Sequence, residues 1–299
     1  MTSLPAADHP APPEHPELPD GIAPPERTPP WPPWTSIAAL VAGFGAAVVA
    51  AMIIGGVGAV FGAGFNHPPP AVSILSVIAQ DLCLIGSALL FARMSGPPRP
   101  SQFGLQPPKR LGSAVGWVVG GYVAFVVLSY AWLSAIGQTN AKDTITDDLG
   151  AKGSTAALIG VAFVVTVLAP LAEELFFRGY FFGALRRLGL WPAAIFTGLA
   201  FGIVHVAGSP IAFILPLALL GTLLCLLRER TGSLYPGIVL HCINNSVALS
   251  SSEHWSWQVP VVLVVAPATI ALLIWAGLRA WNRIAAPAQP GARVSAPTV

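Results

Sequence analysis

From Trp34 onward the chain alternates long apolar runs with short polar or proline-rich links. Eight runs stand out, near residues 36–61, 71–93, 112–136, 156–177, 192–207, 211–227, 234–250 and 259–281. A helix needs about 20 apolar residues to cross a bilayer, within a range of roughly 17–25. Most of the runs reach that length, and the fifth, sixth and seventh lie at its short end. Lipid offers no partner to a bare backbone N–H or C=O, so each run is predicted to be a helix. Pro170 and Pro216 fall inside two runs and predict local kinks. Glycines at Gly58 and Gly62, and between Gly116 and Gly121, permit close helix approach. The expected architecture is an all-α polytopic membrane bundle of about eight transmembrane helices over residues 35–284. It is flanked by a disordered proline-rich tail at residues 1–34, which buries too little to order itself, and by a flexible tail at residues 285–299.

Composition agrees with lipid as the main solvent. The 299 residues are 54% hydrophobic and only 9% charged, with mean hydropathy +0.70, whereas a soluble domain carries roughly 25% charged residues. A cytosolic globular enzyme is excluded. The net charge of +2 and the lack of a basic run argue against nucleic acid as a partner. Cys83, Cys225 and Cys242 all lie in apolar runs and form no CxxC pair, so they read as small buried hydrophobes.

The few cations fix an expected topology. With eight spans, one side of the membrane holds Arg27; Arg93, Arg99, Lys109 and Arg110; Arg186 and Arg187; Arg228 and Arg230; and Arg279, Arg283 and Arg293. The other side holds Lys142 and Lys152 alone. The positive-inside rule then places both termini in the cytoplasm. The Ala-, Pro- and Gly-rich composition suggests a bacterial source, and so a bacterial plasma membrane.

Candidate chemistry comes from the polar groups inside spans, which are costly there. The fourth run ends in Glu173-Glu174-Leu-Phe-Phe-Arg178. Glu174 and Arg178 are i and i+4 and can pair on one helix face, while Glu173 is turned away by about 100°. The fifth carries Phe201 and His205, and the seventh His241 and Asn245, each pair again at i, i+4. Singly, these read as an interfacial ion pair, a core histidine and helix-gluing amides. Converged, they supply a general base, a second acid/base and oxyanion donors, the groups needed to hydrolyse an amide with an activated water. Glu173, His205 and His241 would also make a zinc set, although no HExxH is present. Asp81, mid-span in the second run, reads as a helix-packing partner or a group supporting the site. The depths do not match: from the cytoplasmic ends His241 lies about 10 Å in and His205 about 20 Å in, at roughly 1.5 Å per residue. Tilt or an interfacial helix over residues 181–190 would reconcile them.

The ordered motifs EExxxR at Glu173–Arg178, FxxxH at Phe201–His205 and HxxxN at His241–Asn245 resemble those of the CaaX protease and bacteriocin-processing (CPBP, or Abi) family, which includes the type II CaaX prenyl endopeptidases. The resemblance covers residues 156–250. It implies an intramembrane endopeptidase acting near the cytoplasmic leaflet on a peptide or membrane-protein substrate, lipidated or not. It further implies that Glu173 and His205 activate water, that His241 and Asn245 stabilise the oxyanion, and that Glu174, Arg178 and Phe201 support the site. No cofactor is favoured, because Asn245 suits an oxyanion hole better than a zinc shell; zinc remains the alternative. A non-proteolytic scaffold or bacteriocin-immunity protein is a different class of reading. A transporter is disfavoured, since the polar groups cluster in one half without a repeat.

Overall fold

A computed structural model of the chain describes residues 29–64, 68–141 and 144–285. The tail expected at residues 1–34 lies outside them up to residue 28, as does the C-terminal tail beyond residue 285. Among the described residues there is no strand. Eight long helices coincide with the eight apolar runs: α1 (Trp34–Val60), α2 (Pro70–Arg93), α3 (Leu111–Ala135), α4 (Thr155–Leu188), α5 (Leu190–Val204), α6 (Ile214–Thr231), α7 (Tyr235–Ser252) and α8 (Gln258–Ala285). Seven are long and apolar enough to cross a membrane, which marks an integral membrane protein. The remaining helix, α7, is 18 residues long and carries His241, Asn244, Asn245 and four serines.

The burial pattern is inverted relative to a soluble domain. On α3 only Ala114 is buried, and large apolar side chains such as Val41, Met52, Leu128, Val264 and Leu272 project outward. In lipid such a surface needs no polar cover. The interior is aromatic where α4 ends: Phe176, Phe177, Tyr180 and Phe181 are all buried. Trp31, just before α1, joins them, with ring centroids 4.8 Å from Tyr180 and 4.9 Å from Phe103. Tyr180 also donates a 2.7 Å hydrogen bond to Thr35. This ties the start of α1 to the end of α4.

Close approach is concentrated at glycines other than those singled out from sequence. A Cβ on Gly198 would lie 2.1 Å from Thr222 Oγ1 and 2.6 Å from the Ala218 carbonyl, and one on Gly221 would lie 2.8 Å from Gly198 Cα. Helices α5 and α6 therefore cross almost backbone to backbone. Gly62, Gly116 and Gly120 have no neighbour within 4 Å of such a Cβ, whereas Gly58 meets Val72 at 3.0 Å.

Pro170 and Pro216 act differently, and a further proline, Pro267, lies inside α8. Pro216 sits in the first turn of α6, where helix N–H groups lack intrahelical acceptors anyway, so it needs no kink. Pro170 follows a π-helical turn at Val164–Leu168, and a second π-helical stretch runs from Glu174 to Phe181. α4 is thus one composite helix. Residues 181–185 continue it, in place of a separate interfacial helix.

Candidate active site

Helix α4 supplies the carboxylates. Glu174 and Arg178 are fully buried and joined at 2.7 Å between Oε1 and Nη1, as their i, i+4 spacing predicts. The guanidinium carbon lies 4.2 Å from the Phe201 ring centroid, a cation–π contact that partly replaces lost hydration. Gly221 provides the room, because a Cβ there would lie 3.2 Å from Arg178 Nη2. Gly237 on α7 plays the same part for Glu174 Oε2, at 3.0 Å.

His241 approaches from α7. Its Nδ1 is 3.1 Å from Glu174 Oε1, and its Nε2 is 3.7 Å from Glu173 Oε2. An ionised carboxylate only accepts, so Nδ1 donates to Glu174, and Nε2 is the ring nitrogen that faces Glu173. Arg178, Glu174 and His241 form a relay of one cation, one anion and one oriented imidazole. Glu173 has a side-chain exposure of 14%, against 0% for Glu174. The two adjacent carboxylates are therefore split, one ion-paired and fully buried, the other partly exposed with its Oε2 buried beside His241.

His205 ends α5 and begins a 3-10 turn, His205–Ala207. Its Nδ1 donates to the Phe201 carbonyl at 2.6 Å, so its Nε2 is the ring nitrogen that points away. Its ring lies 4.7 Å from that of Phe201, and the His241 ring lies 5.7 Å from Phe201 in an edge-on arrangement. Phe201 is thus the spacer between the two imidazoles. Its i, i+4 relation to His205 is legible in sequence; its second face, against His241 and Arg178, is not.

Asn245 is held by the irregularity in α4. In the π-helical turn the Ala169 N–H bonds the Val164 carbonyl. The next donor in that register would be Pro170, which has no N–H. The Val165 carbonyl so orphaned accepts from Asn245 Nδ2 at 2.9 Å. The carbonyl partner fixes which end of the amide is nitrogen, and one amide N–H remains available. Asn244 donates to Asn245 Oδ1 at 3.3 Å.

The mismatch in depth disappears because α7 starts inside the protein. Arg186 pairs with Glu229 at the ends of α4 and α6, with bonds of 2.7 and 2.9 Å. Glu174, about three helical turns from Arg186, lies beside Gly237. The chain between Glu229 and Gly237 therefore climbs those turns before α7 is under way. Gly232 ends α6 with φ +66°, a left-handed cap. Leu234 N–H then bonds the Gly104 carbonyl at 2.8 Å, and Phe103 rests on Gly179.

Glu173 and His241 approach one another, but His205 is anchored on Phe201. Among the described residues no three His, Cys, Asp or Glu side chains form a group able to hold a metal ion.

Comparison with known proteins matches residues 155–247 to the family model of the Rce1-like type II CAAX prenyl endopeptidases. The match runs from the first residue of α4 to two residues beyond Asn245, and supports the CaaX-protease family. No curated protein and no solved structure matches the chain.

Proposed function

We propose that this membrane protein, whose residues 155–247 form an Rce1-like type II CAAX prenyl endopeptidase domain, is an intramembrane endopeptidase that hydrolyses a peptide bond with a carboxylate-activated water. The observation that carries this reading is the pairing of Glu173 Oε2 with His241 Nε2 at 3.7 Å, beside the Arg178–Glu174 ion pair. One water can touch both atoms at hydrogen-bond distances of about 2.6–3.2 Å. Glu173 takes one proton from that water, His241 Nε2 accepts a hydrogen bond from the other, and the oxygen attacks the carbonyl carbon. The oxyanion accepts from the free Nδ2–H of Asn245. As the intermediate collapses the C–N bond breaks, and the proton on Glu173 passes to the departing amine.

The geometry favours His241 over His205 as the partner of Glu173. His205, across Phe201, is assigned to the substrate: its Nε2 meets an N–H next to the scissile bond. The proposed steps are routed through Glu173, His241 and Asn245 alone. The cation asymmetry of the sequence supports termini in the cytoplasm and a site reached from that leaflet. The substrate class is a peptide or membrane protein at a bacterial plasma membrane, with prenylation optional. The test is cleavage of a lipidated and unlipidated peptide library by the full-length protein in liposomes, read by mass spectrometry. New peptide termini support the assignment, and an intact library under all conditions contradicts it.

A further inference from the structure

Arg228 lies near the C-terminal end of α6, and the chemistry proposed above makes no use of it. Its guanidinium lies against the backbone of Gly104. A Cβ on Gly104 would come 2.3 Å from Arg228 Cζ and 2.4 Å from Nε, and the residue also has φ +80°. Both constraints ask for glycine. Arg228 Nε is buried there with no hydrogen-bond partner. The residue as a whole is half-buried, so the terminal Nη1/Nη2 edge is what this cradle leaves open. The adjacent acid, Glu229, is taken by Arg186 at 2.7 and 2.9 Å. Residues 104–117 and 228–235 contain no other acid, and they also hold Lys109, Arg110 and Arg230.

Those two segments meet in a braced seam. The Lys109 N–H bonds the Thr231 carbonyl at 3.4 Å. Gln106 Nε2 donates to the Gly232 carbonyl at 3.0 Å, and Ser233 Oγ donates to the Gln106 carbonyl at 2.6 Å. The Lys109 side chain lies over Gly232, where a Cβ would be 3.7 Å from its Cε. On α3 the exposed Trp117 ring has the Arg230 guanidinium carbon 5.1 Å from its centroid. Indole rings settle at headgroup level, so the seam lies at the depth of lipid phosphates. We propose that Arg228, braced on Gly104 and flanked by Lys109, binds a phosphate oxyanion, supplied by a lipid headgroup or as free phosphate. The proposal does not depend on the proteolytic reading. A guanidinium edge offers two parallel N–H donors to two oxygens, and the ammonium adds a second charge. Basic pockets between membrane helices recognise headgroups in this way. A cation that only marks a membrane face stays hydrated on a flexible stem. This one is fixed and already desolvated at Nε, which lowers the ordering cost of binding.

The test uses delipidated full-length protein in a neutral detergent. Phosphatidylglycerol, phosphatidylcholine and inorganic phosphate are titrated separately, and binding is read from the rise in melting temperature and by native mass spectrometry. The parent is expected to take phosphatidylglycerol or phosphate in preference to phosphatidylcholine, and which of the two binds identifies the source. Arg228→Gln should weaken that binding at least about tenfold. Arg283→Gln removes the same charge from an exposed position on α8 and should leave binding within about twofold of the parent. Lys109→Gln alters an exposed side chain and should weaken binding about threefold; it decides the matter if Arg228→Gln does not fold. Parental binding by folded Arg228→Gln, or by Lys109→Gln where Arg228→Gln fails to fold, would overturn the proposal. So would an equal loss in Arg283→Gln, or no preference over phosphatidylcholine.

Discussion

Glu174 and His241 are joined at 3.1 Å between Oε1 and Nδ1, on the same carboxylate oxygen that Arg178 reaches at 2.7 Å. The pair links the two halves of the site, because the ring it orients is the one that faces Glu173. Replacing Glu174 by Gln should retain the fold and lower kcat about 10²-fold, within the 10²–10⁴ range of a positioned acid/base group. Replacing it by Ala leaves the Arg178 charge buried and unpaired, at a cost of about 3–5 kcal/mol. Thermal unfolding in detergent ranks the two: both remove the counter-charge of the buried Arg178, so both should melt below the parent, Glu174→Gln by less because its amide oxygen still accepts from the guanidinium.

Asn245 has two tasks on one amide. Asn245→Ala removes the proposed oxyanion donor and strands the Val165 carbonyl. The expected loss is about 10²–10³-fold in kcat, the usual effect of deleting one oxyanion donor. KM should change little. Steady-state kinetics on a cleaved peptide checks the split.

The crossing of α5 and α6 has no spare room. Gly198→Ala sets a methyl 2.6 Å from the Ala218 backbone carbonyl, which cannot swing aside as a side chain can. Overpacking of this kind costs about 1–3 kcal/mol. Gly116→Ala, whose Cβ would meet nothing within 4 Å, should be neutral. Melting curves of the two variants, run side by side, test the assignment of the close contact.

The donor set leads to a prediction about metal. Extended treatment with a strong chelator should leave cleavage at the parental rate, and added zinc should not raise it. Elemental analysis of the active fraction is the companion measurement. Stoichiometric zinc, with activity lost on chelation and restored by zinc, would contradict the carboxylate mechanism.

The eight helices were legible because lipid demands long apolar runs, and each run became a helix. The contacts at Glu174–Arg178 and Phe201–His205 were legible because i, i+4 spacing alone brings those residues together. What could not be read depends on residues distant in sequence. That Val165 would hold Asn245 required knowing that α4 takes a π-helical register, in which Pro170 is the missing donor. That His241 would sit level with Glu173 required the climb between Glu229 and Gly237, set by the Leu234–Gly104 bond. The place of Trp31 in the core was hidden for a simpler reason: its neighbours are prolines, and composition assigned it to a tail.

The central claim is that Glu173 moves the proton. Single-turnover cleavage of one defined peptide by full-length protein in liposomes, comparing the parent with Glu173→Gln, tests it most directly. The substitution keeps the size of the side chain and removes its basicity. The account predicts that the parental protein cleaves while Glu173→Gln, equally folded and binding the peptide equally well, is slower by at least about 10²-fold. Cleavage by Glu173→Gln at the parental rate would contradict it.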